Sequence, residues 1–248
     1  MLNKKQAIIY SAVVLVLIMM VIGFWYLYTK TKMDERNYSP KNTSMVEENF
    51  SAIEAAKEVK TETVRDIDAT DHAQGDLSAP VKIVIYNDFE CDFCAGFQDT
   101  IQKIKETFGS QVVISFRHFP LRSNPNAYLS ALTAECAGEQ GKFWEMHDRL
   151  FVDNKNNLMN TEQYEADAKE LGLDMEKFSA CLSEERGKEK IQADIDEAKK
   201  IGVAGSPQTF INGKPFPGAY PFEDFTDSAG ITRQGMKTII EKELNNNQ

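Results

Sequence analysis

Apolar and polar positions along this chain follow two different periods, and the switches between them mark out its elements. Val81-Lys82-Ile83-Val84-Ile85-Tyr86 is β-branched and broken by a single Lys, which predicts a buried strand. Behind it Phe97, Ile101, Ile104 and Phe108 recur at steps of three and four, so a helix follows. Gly109-Ser110 is a stop, and Gln111 to Phe116, centred on Val112-Val113-Ile114, predicts a second strand. Pro120 and Pro125 then mark a loop.

A long helical block comes next. Tyr128, Leu132 and Cys136 share one face, and Phe143-Trp144-Glu145-Met146-His147 with Leu150-Phe151 makes a second apolar run. Asn160, with Gln163 three residues on, predicts a cap for a helix to about Leu171. Met175, Phe178, Cys181 and Leu182 follow, then Ile191, Ile195, Ala198 and Ile201 at helical spacing. Strand character returns at Gln208 to Ile211. Asn212-Gly213 predicts a hairpin into Lys214 to Gly218, where Pro215 and Pro217 confine the partner to a short or edge position. A last helix is expected over roughly Gln234 to Leu244. The pattern is that of an α/β domain over 71–248 carrying a helical insertion at about 123–201.

The chain ahead of this domain has a different character. Ala7 to Tyr28 holds no charged side chain, and its 22 residues at a rise of about 1.5 Å span roughly 33 Å, enough to cross a bilayer core. Trp25, Tyr26 and Tyr28 cluster at one end, as interfacial aromatics do. These features predict a cytoplasmic tail over 1–6 and a transmembrane anchor over 7–28. A cleaved signal peptide is the rival, but no small-x-small site is evident around Gly23 to Lys30. Residues 29–70 are polar and of mixed charge and are expected as a tether, with a helical piece over Val46 to Val64. A short dimerising helix is the competing interpretation, since Val46, Phe50, Ile53 and Ala56 could share a face.

Charge and cysteines narrow the function. A net charge of −10 argues against nucleic-acid binding and fits a solvated surface. Lys4 and Lys5 precede the apolar stretch while Lys30, Lys32 and Arg36 follow it, so charge does not orient it. A short tail ahead of a long domain favours the domain lying outside the cytoplasm, an oxidising compartment in which four cysteines can pair.

Two of those cysteines, Cys91 and Cys94, sit where the first strand turns into a helix. The first helical turn leaves N–H groups unpaired at the positive end of the macrodipole, which stabilises a thiolate. Cys91 at the cap is therefore the expected attacking sulfur, and Cys94, three residues on and on the same face, its more buried partner. Asp88 or Glu90 could relay a proton to Cys94; a solvated or strand-end role competes. Cys136 and Cys181 fall on apolar faces. In an oxidising compartment a structural disulfide between them is expected over buried free thiols, and closing a loop of roughly 46 residues would contribute around 4 kcal/mol. His72, His118 and His147 are expected as packing or surface residues. No metal site is expected, because Cys91 and Cys94 lack a second close pair. In Gly202-Val203-Ala204-Gly205-Ser206-Pro207, the Ser206-Pro207 bond could be held cis, or Pro207 could be an ordinary loop proline.

Strand, Cys-x-x-Cys, helix, helical block, Gly-Ser-Pro turn and the hairpin through Phe210-Ile211-Asn212-Gly213 together resemble the DsbA-type thiol-disulfide oxidoreductases of thioredoxin fold. Gly141-Lys142-Phe143-Trp144-Glu145-Met146-His147-Asp148 is also similar to that family, and the likeness covers roughly Asp71 to Leu244. It implies that Cys91 is the nucleophile, Cys94 its disulfide partner and Pro207 a cis-proline facing them. The backbone of Ser206 would then pair with an extended substrate peptide. Two departures stand out. Asp92 replaces the usual Pro, and a carboxylate about 6 Å from the sulfur would cost the thiolate on the order of 1 kcal/mol at an effective dielectric of roughly 40. The stretch from Asp227 to Gln234 is the other, as extra length before the last helix.

The expectation is thus a membrane-anchored, extracytoplasmic thiol-disulfide oxidoreductase that introduces disulfides into reduced exported polypeptides. By the resemblance it would be reoxidised by a quinone-linked membrane protein, without a diffusible cofactor. An isomerase or reductase, or a tethered peptide-binding chaperone module, are the alternatives.

Overall fold

The structure, a computed structural model, describes residues 63–227 and 230–246. The expected tail, anchor and all but the last residues of the tether lie outside the described residues. Among the described residues, no helix is long and apolar enough to cross a membrane.

Five strands form one mixed sheet. They are β1 (His72–Gln74), β2 (Val81–Asn87), β3 (Val112–His118), β4 (Gln208–Ile211) and β5 (Lys214–Pro217), in the order β1-β3-β2-β4-β5. β2 and β3 run parallel from Val81 opposite Val112 to Asn87 opposite His118, and β4 pairs antiparallel with β2, Ile83 opposite Ile211. A parallel pair needs a crossover, and α1 (Asp92–Phe108) provides it.

The central strand, β2, is apolar but for Lys82 and Asn87 because both its faces are covered. On one face Val81, Ile83 and Ile85 pack with Phe97, Ile101, Ile104 and Phe108 of α1 and with Met236, Ile239 and Ile240 of the last helix, Met236–Asn246. On the other, Val84, Tyr86 and Val113 pack with Ile67, Ala198, Val203 and Phe210.

Five helices lie between β3 and β4: α2 (Ala127–Gly138), α3 (Phe143–Lys155), α4 (Thr161–Glu170), α5 (Met175–Glu184) and α6 (Lys188–Lys200). The Met236–Asn246 helix is α7. The insertion packs around Leu132, Met146, Leu150, Tyr164 and Phe178, in a core that continues into Phe89, Cys94 and Phe116. Asn160 caps α4 by accepting the Gln163 N–H at 3.0 Å. Cys136 on α2 and Cys181 on α5 form a disulfide, their Cα atoms 5.6 Å apart.

Several boundaries differ from expectation. The packed chain reaches back to residue 63: the Arg65 N–H donates to Glu197, and Arg65 also pairs with Asp71, so residues 63–70 belong to the domain rather than the tether. β1 is an additional edge strand, antiparallel to β3. Tyr128, in the first turn of α2, is exposed, whereas Leu132 and Cys136 further along the same face are buried. The extra length before α7 folds back as a two-stranded ribbon, β6 (Phe225–Thr226) with β7 (Thr232–Arg233).

Candidate active site

Cys91 is the N-cap of α1, with extended backbone angles of φ −89° and ψ 119°, and its Sγ accepts the Cys94 N–H at 3.3 Å. A sulfur thus takes the place of the usual capping oxygen. The cap and the first turn bring both thiols under the 202–207 turn, where the Ser206-Pro207 peptide is cis. Cys91 Sγ donates to the Ser206 carbonyl at 3.4 Å, and Cys94 Sγ lies 3.0 Å from Ser206 Oγ. Both cysteines are reduced; Cys94 is fully buried and Cys91 nearly so.

Their surroundings separate the two thiols. The hydrogen bond from Cys94 lowers the pKa of Cys91 most; burial opposes it, the Cys94 N–H adds to it, and the pKa settles at about 7. Burial, then the bond to Cys91, pushes Cys94 up, against the lowering contact of Ser206. One thiol is readily ionised near neutral pH while the other stays protonated, the division of labour a dithiol exchange requires.

Asp88 and Glu90 sit beside this pair as clamps for the 119–126 loop. Asp88 accepts from the N–H groups of Glu90 at 2.8 Å and Leu121 at 2.9 Å and from Asn124 Nδ2 at 2.7 Å. Glu90 accepts from the backbone and side-chain nitrogens of Asn126. Burial raises the pKa of Asp88, and these donors hold it back. The negative charge that opposes ionisation of Cys91 is that of Asp88, not of Asp92, whose side chain points to solvent. Asp92 is nearest in the chain, but Asp88, buried three residues before the cysteine, acts through less water.

Phe93, between the cysteines, is 74% exposed. Nearby, a cavity of about 440 Å³ is lined by Phe119, Leu121, Tyr128, Ile195 and Ala204 among others, between the clamped loop and the proline turn. His147 is buried among Phe89, Phe116, Trp144 and Phe151 and bonds Asp148 at 2.8 Å. His72 and His118 instead converge on Glu135, a residue no sequence pattern singled out. Likewise, the contact of the Ser206 hydroxyl with Cys94 joins residues 112 apart in the chain and has no local sequence signal.

Comparison with known proteins places these observations. The model of a family described as Thioredoxin matches residues 68–229, well over half of the chain. BdbD from Bacillus subtilis, in its oxidised form, superposes with a TM-score of 0.59 at 24% identity, over 75% of this chain and 98% of that one. Alpha-DsbA1 from Wolbachia pipientis gives 0.57 at 21% identity, over 73% and 94%. In sequence, the Na(+)/H(+) antiporter NhaA 1 of Salinispora arenicola is 36% identical over 163 residues, 65% of this chain and 24% of that protein. NhaA 3 of Salinispora tropica is 37% identical over 154 residues, and the chain spans about a quarter of the length of these curated relatives.

Proposed function

We propose that this chain, which belongs to the thioredoxin family and has a DsbA-like fold, is a thiol-disulfide oxidoreductase that donates its disulfide to reduced exported polypeptides outside the cytoplasm. The observation that carries this reading is the pair of unequal thiols, Cys91 capping α1 and Cys94 sealed behind it. In the oxidised enzyme a client thiolate attacks Cys91 Sγ; the Cys91–Cys94 bond breaks, and Cys94 leaves as a thiolate and takes up a proton. A second client thiolate then attacks the client sulfur of the mixed disulfide. Cys91 leaves as a thiolate, so two electrons pass from client to enzyme.

The Ser206 backbone beside Cys91 is where an extended client would pair, and the exposed Phe93 ring offers it an apolar contact. Main-chain pairing reads little sequence, which suits varied clients. The uncharged stretch from Ala7 to Tyr28 supports a single-pass anchor that holds the domain on the outer side of the cell membrane. A quinone-linked membrane protein would accept those two electrons and restore the Cys91–Cys94 disulfide, and no diffusible cofactor is needed.

A second reading, isomerase or reductase, draws on the Cys91 pKa. A value of about 7 stabilises the reduced thiolate less than the deeply lowered pKa of the strongest oxidants, and the Asp88 charge contributes to that. The reduction potential decides between them, measured by equilibration of the full chain with glutathione. A value between about −180 and −120 mV supports net donation, and one near −270 mV, roughly that of thioredoxin, would overturn it in favour of the reductase.

A further inference from the structure

From the convergence of His72, His118 and Glu135 we propose that the domain carries a zinc-type divalent metal site, separate from the cysteine pair, joining the edge of the sheet to the helical insertion. Each imidazole places its Nε2 at 2.7 Å from the same carboxylate oxygen, Glu135 Oε1, and the three donor atoms lie within 4.8 Å of one another. The three residues come from three elements, β1, the end of β3, and α2.

The imidazoles are held in place by their neighbours. His72 stacks flat on Phe143 with ring centres 3.4 Å apart, and His118 meets Phe116 edge-on at 5.1 Å. Glu135 is seated against Gly187, where an added Cβ would come within 2.5 Å of the Glu135 Cβ. A donor set preorganised in this way loses little freedom when an ion enters.

Two imidazole nitrogens and a carboxylate oxygen form a borderline set suited to zinc, with a fourth tetrahedral position open to water. Tetrahedral coordination at about 2.0–2.1 Å separates donor atoms by roughly 3.3 Å, so each nitrogen must draw back from Oε1 by about 0.6 Å. The two nitrogens, within 4.8 Å of one another, must come to the same separation, and the site opens to solvent on the His72 side, where that side chain is 22% exposed against 1% for His118. Each imidazole would bind through the lone pair of Nε2, with its remaining proton on Nδ1.

The test is calorimetric titration of Zn²⁺ into the full chain with Cys91 and Cys94 oxidised, so that no free thiolate competes. One ion per chain is expected. His72→Gln, at the part-exposed position, and Glu135→Gln should each weaken binding by about 100-fold, with the far-ultraviolet spectrum unchanged. If Glu135→Gln fails to fold, His72→Gln alone decides. Cobalt(II) in place of zinc should give visible d–d bands without thiolate charge-transfer absorption. No binding by the oxidised chain, unweakened binding by a folded His72→Gln variant, or a thiolate–cobalt band would each overturn the proposal.

Discussion

A hydroxyl 3.0 Å from Cys94 Sγ and 3.4 Å from the Tyr86 carbonyl can donate to either, so Ser206 is poised to stabilise Cys94 at the moment it becomes a thiolate. That moment comes when Cys94 leaves under client attack and again, in the reverse step, when Cys94 attacks the mixed disulfide on Cys91 and releases the client. One hydrogen bond of this kind contributes about 1 kcal/mol, so Ser206→Ala should prolong the mixed disulfide roughly fivefold. The backbone carbonyl that faces Cys91 survives the substitution, so the alkylation rate of Cys91 should keep its midpoint near pH 7. A mixed-disulfide lifetime equal to that of the parent would remove Ser206 from this role. At this scale the cysteines and the proline were legible because a motif fixes their spacing. Ser206 Oγ, the clamp that Asp88 puts on the 119–126 loop, and Glu135 were not, because their partners are 112, 33 and 63 residues away in the chain and no local pattern encodes such a contact.

Helices with one apolar stripe, such as α1, were legible from periodicity. α2 buries residues all round, including Ser130, Thr133 and Ala134, so the stripe through Tyr128, Leu132 and Cys136 marked only part of its buried surface. β1 and the β6–β7 ribbon are too short for an alternating pattern to register. Between α3 and α4 lies a further feature that pattern could not show. Asp153 and Asp167 are both buried, each with its Oδ2 unpaired. Burial first, and then the proximity of Asp167, raises the pKa of Asp153 to about 8. The unfolded chain releases this proton at about pH 4, the folded one only near pH 8, so between them the folded state holds more protons and stability falls as pH rises. Asp153→Asn removes that term. Melting temperatures taken from pH 4 to pH 8 should show the variant gaining steadily on the parent, and a constant offset across that range would refute the account.

At the scale of the molecule, one buried cation joins the parts that pattern left separate. Arg117 on β3 is wholly buried; it bonds Asp71 twice at 2.9 Å, Glu197 of α6 at 3.1 Å and the carbonyls of Arg65 and Asp66 at 3.2 Å. The sheet, the insertion and the 63–71 segment therefore share one electrostatic centre, directly behind Tyr86 and the strand that leads to Cys91. Against the cost of burial, the bonds from Arg117 and Arg65 lower the pKa of Asp71 to about 2. Because the folded value lies below the unfolded one, the stabilisation is complete above about pH 4 and fades as pH falls towards 2. Asp71→Asn leaves the Arg117 charge short of its main counterion and should cost about 3–5 kcal/mol near neutral pH, as breaking a buried pair does. Urea unfolding of parent and variant should show that gap at pH 7 and a much smaller one at pH 2, where the parent's own carboxyl is protonated for half of the molecules. A gap independent of pH would mean that the substitution acts through packing alone, and that the anchoring of the segment ahead of β1 does not depend on its charge.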